Sequence, residues 1–160
     1  MIGFSVFISF IYFFFSKRRY LDAEEIKSVE NSQENGFSIS VIIPARNEES
    51  NIGKILSLLN LQTVKPYEVI VVDDNSIDRT AKIVKAFQND NESIKLISLK
   101  EEPPEGWVGK SWAIWNGYKH SSGNILIFMD ADVEPGEKTL EALVSNYRRY
   151  GGLISVWPYQ

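Results

Sequence analysis

The amino-acid sequence predicts an α/β domain with a mostly parallel sheet and helices on both of its faces. Short apolar runs rich in valine and isoleucine alternate with segments in which apolar residues recur at helical spacing. Strands that alternate with helices form parallel sheets joined by right-handed crossovers. Polar clusters follow three of the apolar runs. In such sheets ligands bind beyond the carboxyl ends of the strands, so these clusters are candidate site residues.

The strands are predicted from runs of β-branched and other apolar residues that end at proline or at polar residues. Pro44 ends the first run, and Asp73 with Asp74 ends the second. We therefore expect five strands: Phe37–Ile43, Tyr67–Val72, Ile94–Leu99, Asn124–Met129 and Leu153–Trp157.

The helices are predicted from apolar residues at i, i+3, i+4 and i+7, which lie on one face of a helix. Ser76 or Asp74 is a candidate N-cap for the second helix, and Pro135 opens the fourth. The third helix is Lys110–His120. The expected buried faces of the other three are Ile52, Ile55, Leu56 and Leu59; Thr80, Ile83, Val84 and Phe87; and Leu140, Leu143, Val144 and Tyr147.

Composition excludes several classes of function. The 160-residue chain carries a net charge of −4, so it lacks the basic footprint of a nucleic-acid-binding protein. It has no cysteine, which excludes disulfides and thiolate metal sites. The only histidine, His120, lies at the end of a predicted helix, where a helix-end or surface role is expected. A histidine-based triad or zinc site is not supported.

The N-terminal segment predicts a membrane anchor over residues 1–16. Its first fifteen residues are uncharged and mostly aromatic or aliphatic, and Lys17-Arg18-Arg19 follow. Fifteen helical residues span about 22 Å, which is shorter than the hydrocarbon core of a bilayer. The lysine and arginine side chains that follow would therefore have to extend toward the interface. A cleaved signal peptide is the alternative, but the basic start and the small-residue cleavage site are missing. The positive residues place everything after them in the cytoplasm. Residues 17–36 read as a juxtamembrane linker.

Two carboxylates follow the fourth strand as Asp130-Ala131-Asp132. Oxygen ligands one residue apart at a strand end suit Mg²⁺ or Mn²⁺, which commonly bridge to a substrate phosphate. The alternative for an isolated pair of this kind is a solvated acidic turn.

Charged loops follow the first two strands. Pro44-Ala-Arg-Asn-Glu-Glu49 leads into a helix, where Arg46 could contact a phosphate or sugar and the glutamates could simply complement the helix dipole. Asp73-Asp-Asn-Ser76 could cap a helix or accept hydrogen bonds from a ribose or base.

A glycine-flanked loop, Gly106-Trp-Val-Gly-Lys-Ser111, precedes the third helix. Its spacing matches neither the P-loop nor the dinucleotide fingerprint. Lys110 could meet a diphosphate or be a surface lysine. Trp107, Trp112 and Trp115 are expected in the core or in a lid rather than against a ligand.

Taken in chain order, the strand ends and loops described above resemble the donor-binding half of a family 2 glycosyltransferase with a GT-A fold. The resemblance extends over residues 37–160. It rests on Ser40–Glu49, Val71–Asp78, Gly109–Ala113 with Gly117 and Gly123, and Phe128–Asp132. More narrowly, Gly106–Ala113 and Leu153–Gln160 resemble bacterial membrane-associated enzymes that glycosylate carotenoid acids and related isoprenoid lipids.

The resemblance implies a nucleotide-diphosphate sugar as donor, most often a UDP-sugar, with Mg²⁺ or Mn²⁺ and inversion at the sugar carbon. It implies that Pro44, Arg46 and Glu48 line the nucleotide pocket and that Lys110 lies near the donor. It also implies that Asp74 contacts the uridine while Asp73 supports the loop. Asp130 would face the ribose or sugar, and Asp130 with Asp132 would form the metal site. The acceptor is expected to be a lipid or polymer at the membrane, with no nucleic acid as partner.

Members of that family continue past the position of Gln160, so we expect a truncated domain that binds donor but transfers sugar poorly. No general base can be nominated. Two alternatives are weighed against this. A sugar nucleotidyltransferase would have glycine in the loop after the first strand, which Pro44–Asn47 lacks. A non-catalytic, membrane-anchored nucleotide-binding module remains open.

Overall fold

A computed structural model describes residues 37–156 as one parallel four-stranded sheet with four helices. The predicted anchor over 1–16, the linker over 17–36 and residues 157–160 lie outside the described residues. Each strand is followed by one helix: β1 Ile39–Ala45 and α1 Ile52–Asn60, β2 Glu68–Asp74 and α2 Thr80–Asp90, β3 Ile94–Leu99 and α3 Gly109–His120, β4 Ile125–Phe128 and α4 Thr139–Tyr150.

The sheet order is β3-β2-β1-β4, and all three pairings are parallel. The chain runs outward from β1 to β3 and then returns to the other side of β1. Strand order therefore reverses between β1 and β4, which is the position where ligands bind in open α/β sheets. The carboxyl ends of β1, β2 and β4 meet at this edge.

Helices cover both faces of the sheet, as the sequence predicts. Alternate residues of a strand point to opposite faces, so Val41 and Ile43 lie in one apolar cluster while Ile70 and Val72 lie in the other. The larger cluster includes buried residues of α1, α2 and α4, and the smaller one includes Ala113 of α3.

Helix α3 packs closely on the sheet because it presents a glycine there. A Cβ added to Gly117 would lie 2.4 Å from Cγ2 of Ile42 and 3.1 Å from Cγ2 of Val72. Only glycine permits this approach, which brings the start of α3 against the carboxyl ends of β1 and β2.

At the amino ends of the strands, opposite the carboxyl ends described above, Glu68 is buried among several hydrogen-bond donors. Its carboxylate accepts bonds of 2.6 Å from the Ser40 hydroxyl, the Ser122 N–H and the Lys95 ammonium. Burial raises the pKa of Glu68, but these donors outweigh burial and hold the pKa below its ordinary value. The cluster ties the loop before β4 to β1 and β2.

Both predicted boundaries at the carboxyl ends of β1 and β2 are too early. Pro44 lies inside β1 and Asp73 and Asp74 close β2. Pro44 has no N–H to donate to a neighbouring strand. The ladder between β1 and β4 ends where Ile42 lies opposite Phe128, before Pro44 is reached, so no ladder hydrogen bond is lost there.

Two helices also begin later than the sequence predicts. α2 begins at Thr80 instead of near Ser76, because the Asp78 carboxylate accepts the Thr80 N–H while Ser76 bonds to the loop after β1. α4 begins at Thr139, four residues after Pro135.

The expected strand over Leu153–Trp157 is not formed across 153–156. Gly151 and Gly152 both have positive φ angles, which turn the chain out of α4, and no other strand of residues 37–156 lies alongside to pair with it. Between residues 37 and 156, no helix combines the length and apolarity that crossing a bilayer requires.

Candidate active site

An open cleft of about 400 Å³ lies at the carboxyl edge of the sheet. It gathers residues from the ends of β1, β2 and β4 and from the start of α3. Seven of the eight site residues expected from the sequence line this cleft: Pro44, Arg46, Glu48, Asp74, Lys110, Asp130 and Asp132. The eighth, Asp73, is buried and instead accepts a hydrogen bond of 3.1 Å from the Ser76 N–H.

Arg46 and Asp74 form one end of the cleft. Nη1 of Arg46 lies 3.5 Å from Oδ2 of Asp74, and the Asp74 side chain is only 10% exposed. The first residue of α3 closes on this pair, since a Cβ added to Gly109 would lie 2.6 Å from Oδ2 of Asp74. Glycine at this position therefore leaves room for a buried carboxylate with a guanidinium beside it.

Asp130, Asp132 and Lys110 occupy the other end. Asp130 and Asp132 follow β4, and Lys110 lies in the first turn of α3. Nζ of Lys110 lies 2.7 Å from Oδ1 of Asp130, and both side chains are more than half exposed. Asp132 is exposed as well, so all three side chains are accessible to a ligand from solvent.

The two aspartates fit a divalent cation that completes its coordination from outside the protein. Their oxygens are the hard ligands that Mg²⁺ and Mn²⁺ prefer. Across residues 37–156, no group of three or more histidine, cysteine, aspartate or glutamate side chains is arranged to hold a metal. Mg²⁺ at nucleotide sites is commonly held by one or two carboxylates plus phosphate oxygens, and Asp130 with Asp132 matches that pattern.

The loops after β1 and β2 hold their charged residues in mutual hydrogen bonds. The N–H and Nε of Arg79 each donate a bond of 3.0 Å to the Glu49 carboxylate and lower the pKa of Glu49. Burial raises the pKa of Asp78, but bonds from the Thr80 hydroxyl, the Thr80 N–H and the Glu49 N–H outweigh it and lower the pKa overall. Both carboxylates therefore stay ionised and keep the two loops together.

Helix α3 carries aromatic side chains on its outer surface and in the loop before it. The ring centroids of Trp107 and Trp115 lie 6.0 Å apart, and those of Trp115 and Tyr118 lie 5.4 Å apart. These three residues are between 41% and 48% exposed, and Val108, which lines the cleft, is 72% exposed. We call Trp107, Val108, Trp115 and Tyr118 the aromatic stripe. Trp107 and Trp115 are thus not core residues, and a lid position for them stays a prediction.

The sequence did not single out every residue that forms the cleft. Val108, Gly109, Ala113 and Ala131 also line it. Two further residues, Asn47 and Ser76, connect the loops that follow β1 and β2. Asparagine tolerates a left-handed backbone conformation. The asparagines that follow β1 and β2 were therefore the sequence signal for the shape of these two loops.

The family model for glycosyl transferase family 2 matches residues 40–159. Over 152 residues the chain is 40% identical to 4,4'-diaponeurosporenoate glycosyltransferase from Staphylococcus haemolyticus. That alignment covers 92% of this chain and 38% of the relative, so the chain spans less than half the relative's length.

Two solved structures share the fold. S. aureus TarS 1-349 in complex with UDP-GlcNAc superimposes with a TM-score of 0.57 at 28% identity, over 71% of this chain and 32% of that chain. The mannosyltransferase PcManGT from Pyrobaculum calidifontis, in complex with GDP-Man and Mn²⁺, gives a TM-score of 0.59 at 29% identity, over 69% of this chain and 32% of that one. The predicted GT-A-like architecture is confirmed by these similarities.

Proposed function

The chain belongs to glycosyl transferase family 2, and from that premise we propose that its cleft binds a nucleotide-diphosphate sugar, with UDP as the nucleotide, for transfer of the sugar to an apolar acceptor at a membrane. The observation that carries the proposal is the pairing of two unlike ends in one cleft. One end holds the buried Asp74 carboxylate beside Arg46, and the other holds Asp130, Asp132 and Lys110.

The nucleoside is assigned to the Asp74 end. An ionised carboxylate only accepts hydrogen bonds, so it suits the N–H of a uracil ring or the hydroxyls of a ribose. Arg46 at the same end supplies donors and a positive charge toward the diphosphate. Pro44 and Glu48 complete the wall of this pocket.

The diphosphate and sugar are assigned to the other end. Lys110 is placed to meet a phosphate, Asp130 to face the ribose or sugar, and Asp132 with Asp130 to hold Mg²⁺ or Mn²⁺. Such an ion, when bound, supplies Lewis-acid stabilisation of the leaving diphosphate. The presence of Mn²⁺ with GDP-Man in the complex of the similar mannosyltransferase supports the inclusion of a metal in this proposal.

Transfer breaks the bond between the anomeric carbon and the diphosphate oxygen and forms a bond from that carbon to an acceptor oxygen. Attack from the opposite face inverts the configuration. The relative from S. haemolyticus is named for a carboxylate, 4,4'-diaponeurosporenoate. A carboxylic acid has an ordinary pKa near 4, so it is ionised at neutral pH and needs no general base. An acceptor of this chemistry would explain why no base can be nominated among the described residues.

An apolar acceptor also agrees with the aromatic stripe, since exposed aromatic side chains continue from the cleft along α3. Such an acceptor resides in a membrane. The proposal therefore includes the membrane as the working surface, with the N-terminal segment over residues 1–16 as a single-pass anchor and the cleft on the cytoplasmic side.

Isothermal titration of UDP into the full chain tests the donor site. We expect binding with Mn²⁺, loss of binding with EDTA, and at least tenfold weaker binding by Asp132→Ala. Asp90→Ala is the matched control, because Asp90 is an exposed aspartate at the end of α2. A folded chain that binds no UDP under any of these conditions would contradict the proposal and favour an interaction module.

A further inference from the structure

The loops after β1 and β2 are joined by a reciprocal pair of hydrogen bonds. The N–H of Asn47 donates to Oγ of Ser76 at 2.9 Å, and the N–H of Ile77 donates to Oδ1 of Asn47 at 2.9 Å. One asparagine in each loop adopts a left-handed backbone conformation, with φ of 57° at Asn47 and 56° at Asn75. Asparagine is among the few residues other than glycine that visit this region readily.

Further bonds extend the connection on both sides. The N–H of Glu48 donates to Oγ1 of Thr80 at 2.8 Å, and the N–H of Glu49 donates to Oδ2 of Asp78 at 3.0 Å. Asp73, the penultimate residue of β2, accepts the N–H of Ser76 at 3.1 Å. The loop after β1 is thus tied to the loop after β2, which is in turn tied to the sheet.

This connection lies directly beside the nucleoside end of the cleft. Arg46 precedes Asn47 in the chain, and Asp74 lies two residues before Ser76. Strand pairing sets the register only as far as Ala45 opposite Asp73. Asp74 is held by its pairing with Leu99 of β3, whereas Arg46 lies beyond the ladder and its loop is joined to the loop after β2 by the bonds described above.

We propose that Asn47 and Ser76 are positioning residues, which hold the Arg46 loop in register with Asp74 so that the two side chains can receive the nucleoside end of a nucleotide-diphosphate sugar. The proposal rests on the proposed function for the identity of the ligand. Asn47 is exposed and Ser76 is only half-buried, so neither contributes to the apolar core. Their removal should therefore disturb ligand binding more than folding.

The test separates the side-chain bond from the backbone conformation. Asn47→Gly keeps access to the left-handed region but removes the acceptor for the Ile77 N–H. Ser76→Ala removes the acceptor for the Asn47 N–H, and Ser76→Thr restores a hydroxyl there. We expect UDP affinity in Mn²⁺ to fall roughly three- to tenfold in Asn47→Gly and Ser76→Ala, in keeping with one lost hydrogen bond. Ser76→Thr should recover most of the loss.

Two measurements exclude a merely structural effect. Mn²⁺ affinity without nucleotide should stay unchanged, because Asp130 and Asp132 lie at the other end of the cleft. The unfolding midpoint should match that of Asn60→Ala, which loses an exposed side-chain bond to Asn91 away from the cleft. All measurements use the full chain.

The outcomes are distinguishable. If the unaltered chain binds no UDP, the proposed function fails and this inference fails with it. If the unaltered chain binds UDP and Asn47→Gly binds it equally well, this inference alone is overturned. A fall in metal affinity that equals the fall in UDP affinity would also overturn it.

Discussion

Lys110 and Asp130 form an ion pair inside the cleft, with 2.7 Å between Nζ and Oδ1. The ammonium group thereby lies against a carboxylate that we assign to the metal site. Because a lysine and a divalent cation are both attracted to the same oxygen, they compete for Asp130 until a diphosphate offers Lys110 another anionic partner.

Replacing Lys110 should therefore have opposite effects on metal and nucleotide. We expect Lys110→Met to tighten Mn²⁺ binding in the absence of nucleotide by roughly fivefold, the factor that corresponds to about 1 kcal/mol between unit charges 4 Å apart in water. UDP affinity in saturating Mn²⁺ should fall. Electron paramagnetic resonance of free Mn²⁺ and calorimetry measure the two quantities. Lys119→Met removes the same charge near the far end of α3 and should leave both unchanged.

Adding a methyl group at the start of α3 should weaken nucleotide binding without unfolding the chain. The Cβ of Gly109→Ala would lie 2.6 Å from Oδ2 of Asp74, so the carboxylate must move away from its position beside Arg46. We expect calorimetry to give UDP affinity three- to tenfold lower, equivalent to about 1 kcal/mol for one displaced hydrogen bond. Gly136→Ala is the control, because its Cβ would meet only Oγ1 of Thr139 at 3.9 Å. Equal UDP affinity in both variants would show that Asp74 does not contact the nucleotide.

Two glycine-to-alanine changes in helices should shift stability in opposite directions. In α1, the Cβ of Gly53→Ala would make an ordinary contact of 3.6 Å with Ile83, and alanine favours a helix over glycine by roughly 0.5–1 kcal/mol. In α3, the Cβ of Gly117→Ala would lie 2.4 Å from Ile42, so we expect a loss of about 1–3 kcal/mol through overpacking. Urea unfolding measures both. A stabilised Gly117→Ala variant would contradict the packing of α3 on the sheet.

Glu68 should make the stability of the domain depend on pH. The pKa of Glu68 is lower in the folded protein than the ordinary value near 4.5. The stability that ionised Glu68 contributes is therefore fully present above pH 4.5 and is lost as the pH falls through the folded pKa. At neutral pH we expect Glu68→Gln to lower the free energy of unfolding by about 1–3 kcal/mol. The difference from the unaltered chain should shrink at acid pH. Urea unfolding over a pH series tests this, with the exposed Glu92→Gln as control.

Much of the fold follows from local patterns in the sequence. The apolar period of α1 places its four buried residues correctly, because the repeat of a helix decides which side chains share a face. Boundaries were less accurate. Asp78, and not Ser76, accepts the Thr80 N–H at the start of α2, because the Ser76 hydroxyl bonds across to Asn47. Side-chain bonds between loops cannot be read from spacing along the chain.

The fold class and the residues that follow each strand are predictable from the sequence, since both depend on the order and period of residue types. Which of these residues meet depends on how the strands pair in three dimensions. β4 pairs with β1 instead of continuing beyond β3, and that pairing brings Asp130 and Asp132 opposite Arg46 and Asp74 in one cleft. The ion pair of Lys110 with Asp130 and the bonds of Asn47 to the loop after β2 likewise join residues far apart in the chain. Such distances are set by strand pairing and by the close packing of α3, which no local pattern encodes.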